Sequence, residues 1–169
     1  TKFTFPLGDG TYYKSIAITP SAATSNAWTA KYYNAVYSST ALHATNAGDL
    51  DHVSAYEWWD LGNGSTSATA IIEMAWVSQN AVSAYADLKI AHCDGTYWDE
   101  IPTSVPSGND AAGTMSSSSA VSTFSPFTIG STSSTNVLPI ELVAFYGDKK
   151  DSRNILNWTT ASEINNDYF

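Results

Sequence analysis

The sequence is poor in cysteine, in basic residues and in charge of either sign. A single cysteine, Cys93, excludes a disulfide within the chain, so packing must hold the fold. Seven basic residues stand against sixteen acidic ones, a formal net charge of −9. That balance supplies no basic footprint for phosphates, so no nucleic-acid partner is expected, and no adhesion to an anionic membrane surface. No apolar run approaches the roughly 20 residues that cross a bilayer as a helix, so no membrane insertion is expected. Charged residues make up 14% of the chain, where about 25% is usual in soluble proteins. Ser, Thr, Asn and Ala take their place, a surface common in extracellular β-proteins. An exported chain with one cysteine points to a bacterial cell surface rather than to a disulfide-rich animal module. The first residue is Thr1, with neither Met nor a signal peptide before it, and the chain reads as a processed or excised piece of a longer precursor.

Catalytic signatures are missing too. There is no GxSxG elbow and no Gly-rich phosphate loop. His43, His52 and His92 lack metal spacing such as HExxH. His92 and Cys93 are adjacent, so in a strand they face opposite sides and form no dyad; Cys93 reads as a small buried residue. Glu57, Asp60, Glu73 and Glu141 lie on or beside expected strands, but one sandwich leaves little room for the cleft that a glycosidase pair needs. No enzyme is expected.

What is present is alternation. In Thr69–Trp76, Ala70, Ile72, Met74 and Trp76 point one way, and Thr69, Ile71, Glu73 and Ala75 the other. Leu88–His92 repeats the pattern with Leu88 and Ile90 inward. Further strands are expected at Ser15–Thr19, ended by Pro20, at Trp28–Val36, at Val53–Trp59, and at Phe124–Gly130, where Pro126 marks a bulge or an edge. Gly8-Asp9-Gly10 and Gly62–Ser65 read as turns, and Asp94-Gly95 as a hairpin turn. Ser38–Asp51 and Pro102–Ser119 read as long loops. Many short strands with regular turn signals predict an all-β fold, an antiparallel β-sandwich of immunoglobulin-like or jelly-roll-like type over residues 1–130.

A Ser/Thr linker follows at 131–137, and the character then resets. Leu138–Tyr146 and Asn154–Trp158 read as strands flanking a charged turn, Gly147–Arg153. Residues 138–169 are thus the first strands of a second immunoglobulin- or fibronectin-III-like β-domain, and since two strands cannot bury a core alone, that domain is either truncated or packed on a partner.

This tail carries a resemblance. Leu138-Pro-Ile-Glu-Leu-Val-Ala-Phe145 and Leu156-Asn-Trp-Thr-Thr-Ala-Ser-Glu-Ile-Asn-Asn-Asp-Tyr-Phe169 resemble the fibronectin-III-like segment that precedes the C-terminal sorting domain in Bacteroidetes proteins exported by the type IX secretion system. The remaining strands and the sorting tail of that family are missing. More loosely, Phe5–Gly10, Tyr56–Asp60, Asp87–His92 with Trp98, and Phe124–Gly130 resemble the β-sandwich modules that precede the segment in surface and adhesin-like proteins. The resemblance implies an extracellular, surface-displayed protein and carries over no catalytic residues.

Three sets of residues are candidate sites. Trp58, Trp59, Tyr32 and Tyr33 could stack on sugar rings, as in a carbohydrate-binding module, or fill a wide core. Asp49 and Asp51 are the candidate calcium ligands; no other cofactor is expected. Leu138, Ile140, Leu142 and Ala144 form the candidate assembly strand, which would satisfy its free edge on a second copy by β-strand addition. The expectation is a non-catalytic structural or adhesive module that forms filaments, with a glycan-binding module as the alternative.

Overall fold

The computed structural model describes residues 1–22, 27–37, 50–64, 68–136, 142–150 and 153–160, the side chains of 142–144, 150 and 158–160 excepted. The described chain is all-β apart from two single-turn 3-10 helices, Ser78–Asn80 and Tyr85–Asp87. Its strands are β1 (Phe3–Phe5), β2 (Ile16–Pro20), β3 (Trp28–Tyr33), β4 (His52–Val53), β5 (Trp58–Asn63), β6 (Ala70–Val77), β7 (Leu88–Cys93), β8 (Trp98–Ile101), β9 (Ser107–Asn109), β10 (Ala112–Ser116), β11 (Phe127–Ser131), β12 (Leu142–Lys150) and β13 (Arg153–Thr160). One sheet runs β1-β2-β6-β10-β9; the other runs β3-β5-β11-β7-β8, with β4 also on β11. All pairings are antiparallel, and the two sheets pack as a sandwich, not a closed barrel.

Alternation builds the interior. Ala70, Ile72, Met74 and Trp76 of β6 all point inward, with Ile16 and Ile18 of β2 beside them. They meet Trp59, Leu61, Leu88, Ile90, Phe127 and Ile129 of the opposite sheet. Each of the Ile, Leu, Met and Phe side chains among them contributes about 1.5–3 kcal/mol of transfer free energy. A smaller cluster, Leu50, Val53, Ala91, Cys93 and Trp98, covers the other face of the second sheet, with Tyr37 against it. Cys93 is therefore buried, and burial raises its thiol pKa. His92, on the opposite face, packs on Phe127 with ring centroids 5.1 Å apart.

Several boundaries differ from the sequence reading. The Pro102–Ser119 loop contains the hairpin β9–β10, whose outer residues are small and polar and show little alternation. Gly113 sits opposite Trp76, and a Cβ there would lie 2.2 Å from the indole, so glycine is what lets the ring fit. The expected strand Val53–Trp59 is two short pieces, because Ser54–Glu57 leave the ladder and β5 runs on through Asp60 to Asn63. Strand β3 ends at Tyr33 rather than Val36. Strand β11 begins after Pro126 and is a fully buried inner strand between β5 and β7, not an edge. The Asp94-Gly95 hairpin has a four-residue loop, in which the Asp94 carboxylate accepts the N–H groups of Thr96 and Tyr97 and Gly95 has φ +100°.

Residues of the expected linker belong to the sandwich. Ser131 belongs to β11, and Asn136 is buried: its Oδ1 accepts from the N–H groups of Ser83 and Ala84, and its Nδ2 donates to the Ala84 carbonyl and to Ser131 Oγ. The sandwich thus reaches Asn136. Beyond it, β12 and β13 pair with each other from Leu142↔Thr160 to Lys150↔Arg153, so the expected charged turn is mostly strand.

Candidate functional site

The break between β4 and β5 places the most unusual chemistry of the molecule. Where Ser54–Glu57 leave the ladder, the Glu57 carbonyl accepts from Thr128 Oγ1 at 2.7 Å, and the Glu57 side chain turns into the end of the sandwich. Lys14, two residues before β2, enters from the opposite sheet, held by Trp59 Nε1–H donating to its carbonyl at 3.0 Å. Asn80 arrives from the turn after β6. All three residues are buried, and the side chains of Lys14 and Glu57 have no exposed surface.

Their contacts close a ring. Lys14 Nζ lies 2.8 Å from Glu57 Oε2 and donates to Asn80 Oδ1 at 2.8 Å. Asn80 Nδ2 donates to Glu57 Oε1. The Val77 backbone N–H also donates to Asn80 Oδ1, at 3.0 Å, and this contact fixes which end of the amide is oxygen, since that N–H can only donate. Tyr32 hydroxyl donates to Glu57 Oε2 at 3.0 Å, and Lys14 Nζ donates to Tyr56 hydroxyl at 3.0 Å. Burial pushes the Lys14 pKa down, with the Glu57 carboxylate opposing it. Burial and then the Glu57 charge push the Tyr32 and Tyr56 hydroxyls up, which keeps both protonated donors.

Sequence reasoning noted Glu57 only as a strand carboxylate and missed Lys14 and Asn80. The one local signal was a lysine directly before an apolar strand. Lys14 and Asn80 are 66 positions apart in sequence, which hides their contact from any short motif.

The aromatic set is split across the second sheet. Trp59 is 0% exposed in the main core and Tyr32 packs beside it, 5.2 Å between centroids, so neither offers a face to a sugar. Trp58 and Tyr33 lie on the other side and stack on each other, 3.9 Å apart and 2° from parallel. Tyr37 closes edge-on against Trp58, and Lys31 Nζ lies 4.3 Å from the Tyr33 ring centroid. The four residues therefore form no joint stacking platform.

Of the candidate calcium ligands, Asp49 lies outside the described residues, and Asp51 turns its carboxylate to His52 Nδ1 at 2.8 Å. Among the described residues no three His, Cys, Asp or Glu side chains gather as a metal site. His43 and Glu141 also lie outside the described residues. Asp60 accepts from Ser125 Oγ, and Glu73 pairs with Lys2, both away from the Lys14–Glu57 pair.

Of the candidate assembly strand, Leu138 and Ile140 lie outside the described residues, and Leu142 and Ala144 are backbone positions in β12, paired with Thr160 and Thr159. The apolar surface nearby is large. Phe145 is 62% exposed, Tyr146 57%, Ile155 41% and Leu156 55%. Phe145 and Tyr146 are consecutive in one strand, Ile155 and Leu156 in the other, so both faces of the hairpin carry exposed apolar groups. Compared with known proteins, the chain matches no family model, no curated protein and no solved structure.

Proposed function

We propose that the chain is a non-catalytic structural or adhesive module of a secreted bacterial cell-surface protein, one that self-associates through its C-terminal strands by β-strand addition. The observation that carries this reading is the hairpin β12–β13, apolar on both faces and paired with no other strand among the described residues. Sheets apolar on both faces belong inside a layered fold, and unpaired strand edges recruit further strands. Charge favours a second copy as the partner. Lys149, Lys150 and Arg153, three of the seven basic residues, sit at the hairpin tip and outnumber Asp148 and Asp151 in that stretch of sequence, while the chain as a whole is strongly acidic. Head-to-tail addition of this kind does not close and builds a filament. The resemblance of the tail to segments of type IX exported proteins supports placement at the cell surface. A carbohydrate-binding role would need a stacking face other than the Trp58–Trp59 set.

Light scattering across a concentration series tests the reading. The expected result is association that grows with concentration and is lost in the double variant Phe145→Ser, Leu156→Ser. A monomer at every concentration would overturn it.

A further inference from the structure

Lysine, asparagine and glutamate are the three groups needed to make an amide bond between two side chains, and here they touch one another fully buried in the sandwich. We propose that Lys14 and Asn80 become joined by an intramolecular isopeptide bond, with Glu57 as the proton carrier.

The geometry assigns each role. Glu57 spans the reaction, one oxygen 2.8 Å from the attacking amine and the other accepting from the amide nitrogen that must leave. Asn80 Oδ1 is held by the Val77 N–H at 3.0 Å, a fixed donor placed where negative charge develops when the carbonyl is attacked. Lys14 Nζ is already 2.8 Å from that same oxygen, one bond from Asn80 Cγ. Holding reactants in such contact removes most of the entropic barrier of a bimolecular step. Complete burial of Lys14, Glu57 and Asn80 excludes the water that would otherwise hydrolyse the amide. Burial also favours the neutral amine, the form that attacks.

The step balances without any oxidant or co-reactant. The ammonium of Lys14 gives a proton to Glu57, and the freed lone pair forms the Nζ–Cγ bond as the carbonyl electrons move to Oδ1. Glu57 then protonates Nδ2 and takes back a proton from Nζ. The carbonyl re-forms, the Cγ–Nδ2 bond breaks, and ammonia leaves, carrying the remaining proton away as ammonium. The reaction occurs once per chain, so it is a self-modification and not turnover. Its product ties the entrance of β2 to the exit of β6, neighbouring strands whose register places Ile16 opposite Met74. For a chain with one cysteine, it supplies the covalent staple that a disulfide gives other surface proteins.

Mass spectrometry on the full purified chain decides the matter. The intact folded protein is expected to be lighter than its sequence mass by one ammonia, and a protease digest should yield a branched peptide joining the Lys14 and Asn80 segments. Lys14→Arg and Glu57→Gln should each restore the full mass. A folded wild-type chain at full sequence mass overturns the proposal, whether or not the variants fold. So does an ammonia loss that maps elsewhere, such as to a succinimide at Asn63-Gly64. Loss of ammonia that persists in Glu57→Gln removes Glu57 from its role.

Discussion

In the sandwich, the apolar residues of β6 point into an opposing sheet, and even the buried Lys14 and Glu57 find partners within the same chain. In the hairpin β12–β13, Phe145, Tyr146, Ile155 and Leu156 stay exposed although the two strands are well paired. Backbone pairing is therefore the same in both regions, and what differs is the layer that covers the side chains. A second layer makes a domain self-sufficient; two strands alone bury no core.

Substitutions in the sandwich should separate the two regions most strongly. Trp59→Ala removes a fully buried ring and its hydrogen bond to the Lys14 carbonyl, and should cost about 3–5 kcal/mol in chemical denaturation. Its half-buried neighbour Trp58→Ala loses the stack on Tyr33 and the edge contact with Tyr37, each pair about 0.5–1.5 kcal/mol beyond the buried area, and should cost clearly less than Trp59→Ala. Equal costs for the two would break the assignment of opposite faces.

Acid should weaken the sandwich next. Burial lowers the His92 pKa below its ordinary 6.5, despite the opposing charges of Asp99 and Asp94. The unfolded chain then binds the extra proton first, so stability is full above pH 6.5 and declines as pH falls toward the folded pKa. The slope is at most about 1.4 kcal/mol per pH unit, and His92→Gln should flatten it. A wild-type melting temperature that rises on acidification through this window would contradict the burial assigned to His92.

The hairpin should give the smallest effect on stability. Phe145→Ser with Leu156→Ser, at exposed positions, should leave the sandwich's unfolding free energy within about 0.5 kcal/mol of wild type while abolishing association. A large loss of stability would mean that these side chains are covered by the sandwich.

The sequence reading succeeded where side-chain pattern alone decides structure. The alternation of Ala70, Ile72, Met74 and Trp76 required a half-buried strand, and β6 is one. It failed where a residue's role depends on a distant neighbour. Gly113 looks like loop material until Trp76 is placed over it, and β10 was missed for that reason. The interruption at Ser54–Glu57 lies inside an apolar run that reads as one strand, yet it is what aims Glu57 at Lys14. Nothing local to Lys14 or Asn80 announces their contact, because the pairing of β2 with β6 creates it. In the aromatic strand, adjacency predicted opposite faces for Trp58 and Trp59, but only the neighbours Tyr33 and Tyr37 decide how the outer ring is covered.

Hydrogen exchange on the full chain at low and high concentration tests the division between the two regions most directly. The amides of β6 and β11 should be protected equally at both concentrations, while those of β12 and β13 should exchange quickly in the dilute sample and slow markedly in the concentrated one. Hairpin amides that exchange at the same rate at both concentrations would contradict it.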